Sequence, residues 1–180
     1  MQDNQITNSP NISEISALPD AGRIVALDLG AKKVGVAVSD ELQITARPLS
    51  TVERRSWKEL LKKISAIIEE FDAAALVIGL PYNFDGSENE MSQEARRLAR
   101  NFSLSLSVPV FLQDERLTSK FARQNLHDQG FKELEILRRI DAEAAMLILS
   151  DFLALKEELK QRGKANRDTQ DKQDKKDNSI

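Results

Sequence analysis

Residues 22–40 read GRIVALDLGAKKVGVAVSD, and the reading of this stretch decides the fold. Ile24 to Leu27 is an unbroken apolar run, and Asp28, Leu29 and Gly30 follow it directly. Lys32 and Lys33 come next, then a second apolar run from Val34 to Val38. The pattern predicts a strand, a tight turn and a second strand, with a carboxylate closing the first. On a regular strand Ile24, Ala26 and Asp28 share one face. By the same alternation Gly35, Ala37 and Ser39 share a face, and Val34, Val36 and Val38 line the other. A charge at the end of a buried strand is costly unless a partner or a metal compensates it. Taken alone, Asp28 reads equally well as a turn residue ahead of Gly30.

Outward from this hairpin, QITARPLSTV (43–52) predicts a third extended segment, with Pro48 marking an edge or a bulge. Ser56 and Glu59 form a capping pair for a helix to about Phe71, its apolar stripe running through Leu60, Ile64 and Ile68. Ala74 to Leu80 is continuously apolar and predicts a buried strand that Pro81 ends. Ser87 and Glu90 suggest a second capping pair, for a helix to about Leu106. Val108 to Gln113 predicts another strand. Thr118 can cap a helix ending at Gly130, and a last helix starts near Asp141. Three strands with short connections predict a meander, and alternating helices and strands add parallel neighbours through right-handed crossovers. The order is that of an α/β, ribonuclease H-like fold: a mixed five-stranded sheet with helices on both faces. Its expected extent is 23–160, between a disordered N-terminal extension (1–22) and a disordered charged tail (161–180).

Composition narrows the chemistry. There is no cysteine, and His127 is the only histidine, so disulfides, thiolate zinc sites and histidine-based triads have little to draw on. No apolar run approaches the roughly 20 residues a membrane span needs, and no secretory signal is visible, so the expected setting is cytoplasmic without a membrane partner. The net charge of −3 argues mildly against nucleic acid as a partner, but the distribution of charge matters more than its sum.

Three acidic positions fall at the ends of predicted elements. Asp28 is the first. Asp114-Glu115 follows the last strand, where adjacent residues point to opposite faces, so only one of the two enters a given site. In isolation this pair reads as a solvated loop acid with Arg116 pairing locally. Asp141 is the third; on a helix it shares the core face with Ala144, Ala145, Ile148 and Phe152, while Glu143 is turned well away. Asp141 is otherwise the N-cap of that helix, worth about 1 kcal/mol. Gathered in one place, carboxylates repel unless a cation intervenes, and oxygen ligands suit Mg²⁺ or Mn²⁺. Two such ions about 4 Å apart serve in-line displacement at a phosphodiester. Lys32, Arg47, Arg116, Arg138 and Arg139 adjoin these acids in the predicted arrangement and suit a phosphate backbone. Most other basic residues read as solvated helix faces.

These residues carry a resemblance. ALDLGAKKVGVAVSD, ITARPLSTV, VIGLPYNFDGSENEMSQEARRLA, DERLTS and IDAEAAMLILSDFL stand in the order and spacing of the YqgF family, also called RuvX. The chain resembles that family of pre-16S rRNA nucleases, also described as Holliday-junction resolvases, from about Arg23 to Leu153. The resemblance implies a ribonuclease H-like, Mg²⁺- or Mn²⁺-dependent nuclease that processes the 5′ end of pre-16S rRNA in ribosome biogenesis. The substrate would be met free or within pre-ribosomal particles, by a monomer or a homodimer. By position the family's acids carry over to Asp28, Glu115 and Asp141, with Asp114 as the alternative within the DER stretch. Two departures stand out: Ala31 replaces a usual Thr, and Glu143 replaces a small or neutral residue. The alternatives are a Holliday-junction resolvase and a non-catalytic nucleic-acid-binding factor in transcription. A sugar-kinase-type phosphotransferase shares the Asp28–Ala37 pattern, but this chain shows no second Gly-rich phosphate loop.

Overall fold

The computed structural model describes residues 14–83, 85–114 and 142–163. Strands β1 (Arg23–Leu29), β2 (Lys33–Ser39) and β3 (Ala46–Glu53) form the meander, and helix α1 (Trp57–Glu70) leads to β4 (Ala73–Leu80). Helix α2 (Glu90–Ser105) leads to β5 (Val110–Asp114), and helix α3 spans 142–163. The sheet order is β3-β2-β1-β4-β5. β1 pairs antiparallel with β2, and β2 with β3; β1 pairs parallel with β4, and β4 with β5. This is the mixed five-stranded sheet of a ribonuclease H-like fold.

Alternation along the strands divides the core into two layers. Val25, Leu27, Val34, Val36, Leu76, Ile78, Val110 and Leu112 pack under α1 and α2 with Leu60, Ile64, Leu98 and Phe102. Ile24, Ala26, Ala37, Ala75, Val77 and Phe111 pack under α3 with Ala145, Ile148, Leu149 and Phe152. Each large side chain so buried contributes about 1.5–3 kcal/mol of transfer free energy. The α3 layer is built mainly from small sheet residues, so the helix lies close to the strands. Phe111 and Phe152, 5.4 Å apart between ring centroids, are its large elements.

Local signals hold, with adjustments at the second helix cap and at the N-terminal boundary. Ser56 caps α1, its hydroxyl accepting from the Glu59 N–H, and Asp72 (φ 46°) makes the tight turn into β4. The second cap is Asn89 rather than Ser87: Asn89 accepts from the Ser92 N–H while the Ser92 hydroxyl accepts from the Asn89 N–H. Ser87 is instead held inside the loop by Asp85, which accepts from both its N–H and its hydroxyl. β3 is an edge strand and carries a bulge opposite Val36 and Ala37, so Pro48 occupies both kinds of position the sequence suggested.

The other adjustment concerns the N-terminal boundary. Residues 14–22 are part of the folded body, with a short 3-10 turn at Ile15–Ala17 and Leu18 buried under α3. Gln43 explains their order. Buried in a left-handed conformation (φ 58°), it donates from Nε2 to the carbonyls of Pro19 and Gly22. Lys156 of α3 donates to the Gln43 side chain and to the Asp20 carbonyl, tying this segment to the helix.

Candidate active site

Asp28 ends β1 on the face that α3 covers, half-buried. It stands opposite Gly35 in the β1–β2 ladder. On its other side the parallel register, Leu27 with Ile78, continues to Gly79. Asp28 is therefore flanked by two residues without side chains, and Gly79 is paired in turn with Gln113 of β5. Neither glycine places a side chain beside the carboxylate, and both are buried within the sheet.

The turn after Asp28 is tightly constrained. A Cβ on Gly30 would lie 2.7 Å from the Lys33 carbonyl oxygen, so only glycine fits without a backbone shift. Lys32 and Lys33 are exposed at the tip of this turn. The Arg54 N–H donates to the Lys32 carbonyl at 2.9 Å, and its guanidinium reaches the Gly30 carbonyl at 3.4 Å.

Helix α3 approaches Asp28 with its N-terminal end. Lys156, bonded to Gln43 and Asp20, fixes the later part of the helix at the end of the sheet where β1 begins. From there back to residue 142 the helix spans about 21 Å, and β1 from Arg23 to Asp28 spans about 17 Å. The start of the described helix thus comes to the level of Asp28. Ala145, Ile148, Leu149 and Phe152 face the sheet. Glu143 differs from expectation: the helical period turns it away from the sheet, yet it is only 9% exposed.

The DER stretch is described up to Asp114, which pairs with Leu80 at the end of β5. Val110 and Leu112 point toward α1 and α2, so Asp114 points the same way, opposite to Asp28. Its charge bears on Tyr82, whose hydroxyl is pushed above its ordinary pKa by burial first, with Glu88 and Asp114 adding to the effect. Arg96 bonds both the Tyr82 hydroxyl (3.2 Å) and Glu88 (2.7 Å). Asp114 thus belongs to a cluster behind the sheet, on the α2 side.

Arg47 is also not beside the acid. It pairs with Val38, three positions along β2 from Gly35, about 10 Å away. Its guanidinium lies 5.5 Å from the centre of the Phe71 ring, at the C-terminal end of α1. The β3 bulge and the ladder register place it on the α1 face at the far end of the sheet. Lys32 is exposed on the turn that follows Asp28. Glu115, Arg116, Arg138, Arg139 and Asp141 lie outside the described residues. Among the described residues no group of three acidic or histidine side chains is placed to hold a metal ion.

A second cluster was not singled out by the sequence. Glu94 accepts from Arg97 Nε and Nη2, both at 2.7 Å, and from Arg54 Nη2. Its carboxyl is held below the ordinary value by the Arg97 hydrogen bond first, with the Arg54 charge contributing. The spacing of Glu94 and Arg97 was visible as a helical pair; the partnership with Arg54, forty residues away, was not.

The chain matches a family profile described as RuvX, Holliday junction resolvase, over residues 22–155. A protein of Anaeromyxobacter sp. (strain Fw109-5), named "Putative pre-16S rRNA nuclease", is 42% identical over 131 residues, covering 73% of this chain and 96% of that one. A protein of the same name from Thiobacillus denitrificans is 43% identical over 132 residues, covering 73% and 90%. Among solved structures, Thermus thermophilus RuvC in complex with a Holliday junction substrate aligns over 73% of this chain and 94% of its own, at 19% identity and a TM-score of 0.44.

Proposed function

Because this chain belongs to the RuvX family over residues 22–155, we propose that it is a divalent-metal-dependent nuclease that processes the 5′ end of pre-16S rRNA in ribosome biogenesis. The observation that carries the reading is the convergence of Asp28 and the N-terminal end of α3 on one face of the sheet. Lys156 anchors the helix at the opposite end. Asp141 precedes the described helix by one residue and Ala145 by four, so helical spacing supports it as the second acid on the sheet face. Glu115 follows Asp114, whose side chain points to the α2 side, so strand alternation favours Glu115 as the third.

The residues fit a hard cation. All three are carboxylates, the oxygen donors that hard divalent cations take, and Asp28 is flanked by residues without side chains of their own. Asp28, Glu115 and Asp141 would hold Mg²⁺ or Mn²⁺, which when bound supplies charge neutralisation at the phosphate and acidifies a bound water. The chain's own residues bind and orient. Lys32, exposed on the turn after Asp28, would neutralise a neighbouring phosphate, and Arg116, next to Glu115 in sequence, and Arg138 and Arg139, just before Asp141 in sequence, would do the same. Arg47, stacked over Phe71 at the far end of the sheet, has no part in this. The protein works in the cytoplasm on RNA, free or within pre-ribosomal particles.

The family's description as a Holliday junction resolvase favours a second reading, cleavage of four-way DNA junctions. Both readings use the same acids. The test is incubation of the pure protein with a 5′ fragment of pre-16S rRNA and, separately, with a four-way DNA junction, each in Mg²⁺, Mn²⁺ or chelator. The expected result is cleavage of the RNA in metal and none in chelator. Cleavage of the junction with the RNA left intact would transfer the activity to the second reading, and cleavage in chelator would overturn the role of the metal.

A further inference from the structure

A cavity of about 200 Å³ opens between the start of α1 and the side of α2. Arg54, Arg55, Trp57, Arg97 and Asn101 line it. At a water's share of roughly 30 Å³, it has room for a phosphodiester group and part of a nucleotide. We propose that this cavity binds a phosphate of the nucleic-acid strand on the flank of the cleavage site, as a second anchoring point separate from Asp28. The proposal rests on the nuclease reading above and deepens it.

Three guanidinium groups surround the cavity, against two carboxylates. Glu94 holds Arg54 and Arg97 side by side, and Glu53 pairs with Arg55 at 2.7 Å. Each guanidinium carries five N–H donors, more than these acids take up. Glu94 uses two donors of Arg97 and one of Arg54, and Gly30 uses one more of Arg54. The remaining donors are oriented in advance, because one carboxylate fixes two like charges beside each other. Such preset guanidinium pairs match the oxygens of a phosphate. As ion pairs alone they add little stability, since the side chains of Arg55 and Arg97 are 72% and 64% exposed.

Position connects the cavity to the candidate site. Arg54 bonds the carbonyls of Gly30 and Lys32, so the cavity lies against the very turn that follows Asp28. Exposed Lys32 and Lys33 stand on that turn between the two. A strand leaving Asp28 over this edge of the sheet meets two lysines and then the arginines. Trp57, half-buried on the cavity wall, offers an aromatic surface that suits a nucleotide better than a free anion.

The test uses the full chain carrying Asp28→Asn, so that substrate survives. Binding of a single-stranded RNA oligonucleotide is measured by fluorescence anisotropy across a salt series, with DNA of the same sequence as a parallel probe and inorganic phosphate as competitor. Adding Arg55→Ala and Arg97→Ala is expected to weaken RNA binding about tenfold and to flatten the salt slope by about 0.7 for each phosphate that is no longer neutralised. Arg97→Lys, which keeps the charge, is expected to retain most of the slope. Unchanged affinity and slope in the double variant would overturn the proposal. Displacement of the RNA by inorganic phosphate at an affinity equal to that of the oligonucleotide would assign the cavity to the free anion instead. Arginine-dependent binding by a parent chain that cleaves no RNA would leave the cavity standing and remove the nuclease reading. Cleaving activity with arginine-independent binding would do the reverse.

Discussion

Asp28 faces Gly35 across the β1–β2 ladder, on the layer of the sheet that α3 covers. On the nuclease reading proposed above, Asp28 and Asp141 are metal ligands. Asp28→Asn and Asp141→Asn are each expected to lower metal-dependent RNA cleavage by more than about 100-fold, beyond the usual effect of altering a residue that only supports a metal ligand. Without metal, both variants should melt at or above the parent temperature, because a neutral amide relieves repulsion among clustered acids. Cleavage rates in Mg²⁺ and thermal melts in chelator check the pair. Full activity in either variant sinks the assignment, and a marked drop in the melting temperature of Asp141→Ala with none in Asp141→Asn assigns that residue to helix capping.

Gly30 is packed against backbone. Its missing Cβ would sit 2.7 Å from the Lys33 carbonyl oxygen, an atom that no rotamer change can move aside. Gly30→Ala is expected to cost about 1–3 kcal/mol, the usual range for overpacking. Urea denaturation of the two proteins reads this directly, and an unchanged midpoint would contradict the tight turn.

Ser92 is fully buried at the start of α2. Its hydroxyl donates to the Pro81 carbonyl and accepts from the Asn89 N–H, joining the end of β4 to the helix cap. Ser92→Ala leaves both groups without this partner, for an expected loss of about 1–3 kcal/mol. The urea midpoint should fall while the slope of the transition stays constant, since the surface exposed on unfolding does not change.

Glu94 sets a pH dependence. Its folded pKa lies below the ordinary 4.5, because of the Arg97 hydrogen bond first, with the Arg54 charge contributing. A depressed carboxylate contributes stability that is fully present above its unfolded pKa and is lost as pH falls through the folded value. Glu94→Gln lacks this contribution. The stability difference between parent and variant should therefore be largest near neutral pH and shrink on acidification below about pH 4.5. Chemical denaturation at a series of pH values measures it; a difference that grows in acid would reverse the sign.

Much of the fold was legible in the residues. The alternation of Ile24, Ala26 and Asp28 against Val25 and Leu27 is a covalent property of an extended chain, and the two core layers follow it. The stripe Leu60, Ile64, Ile68 likewise placed α1 correctly. Cross-chain partners were less accessible. Arg47 reads as a basic residue near the acid until the bulge and register carry it to Phe71. Ser87 and Asn89 are both good caps by type, and the loop bonds of Asp85 decide between them. Residues 14–22 look like polar lead-in, yet Gln43 and Lys156 order them from outside the segment.

The amino-acid sequence by itself determined the kinds of elements, their order, the faces they bury, and the family to which residues 22–155 belong. Those features depend on local spacing and on residue type. The tertiary structure alone decided that Asp114 points toward Tyr82 and away from Asp28, that α3 is anchored by Lys156 with its described start at the level of Asp28, and that Arg54 joins Glu94 and Arg97 behind the turn. Each of these depends on register or on contacts between distant elements. Such contacts are set by how whole layers pack, which no local window of sequence contains.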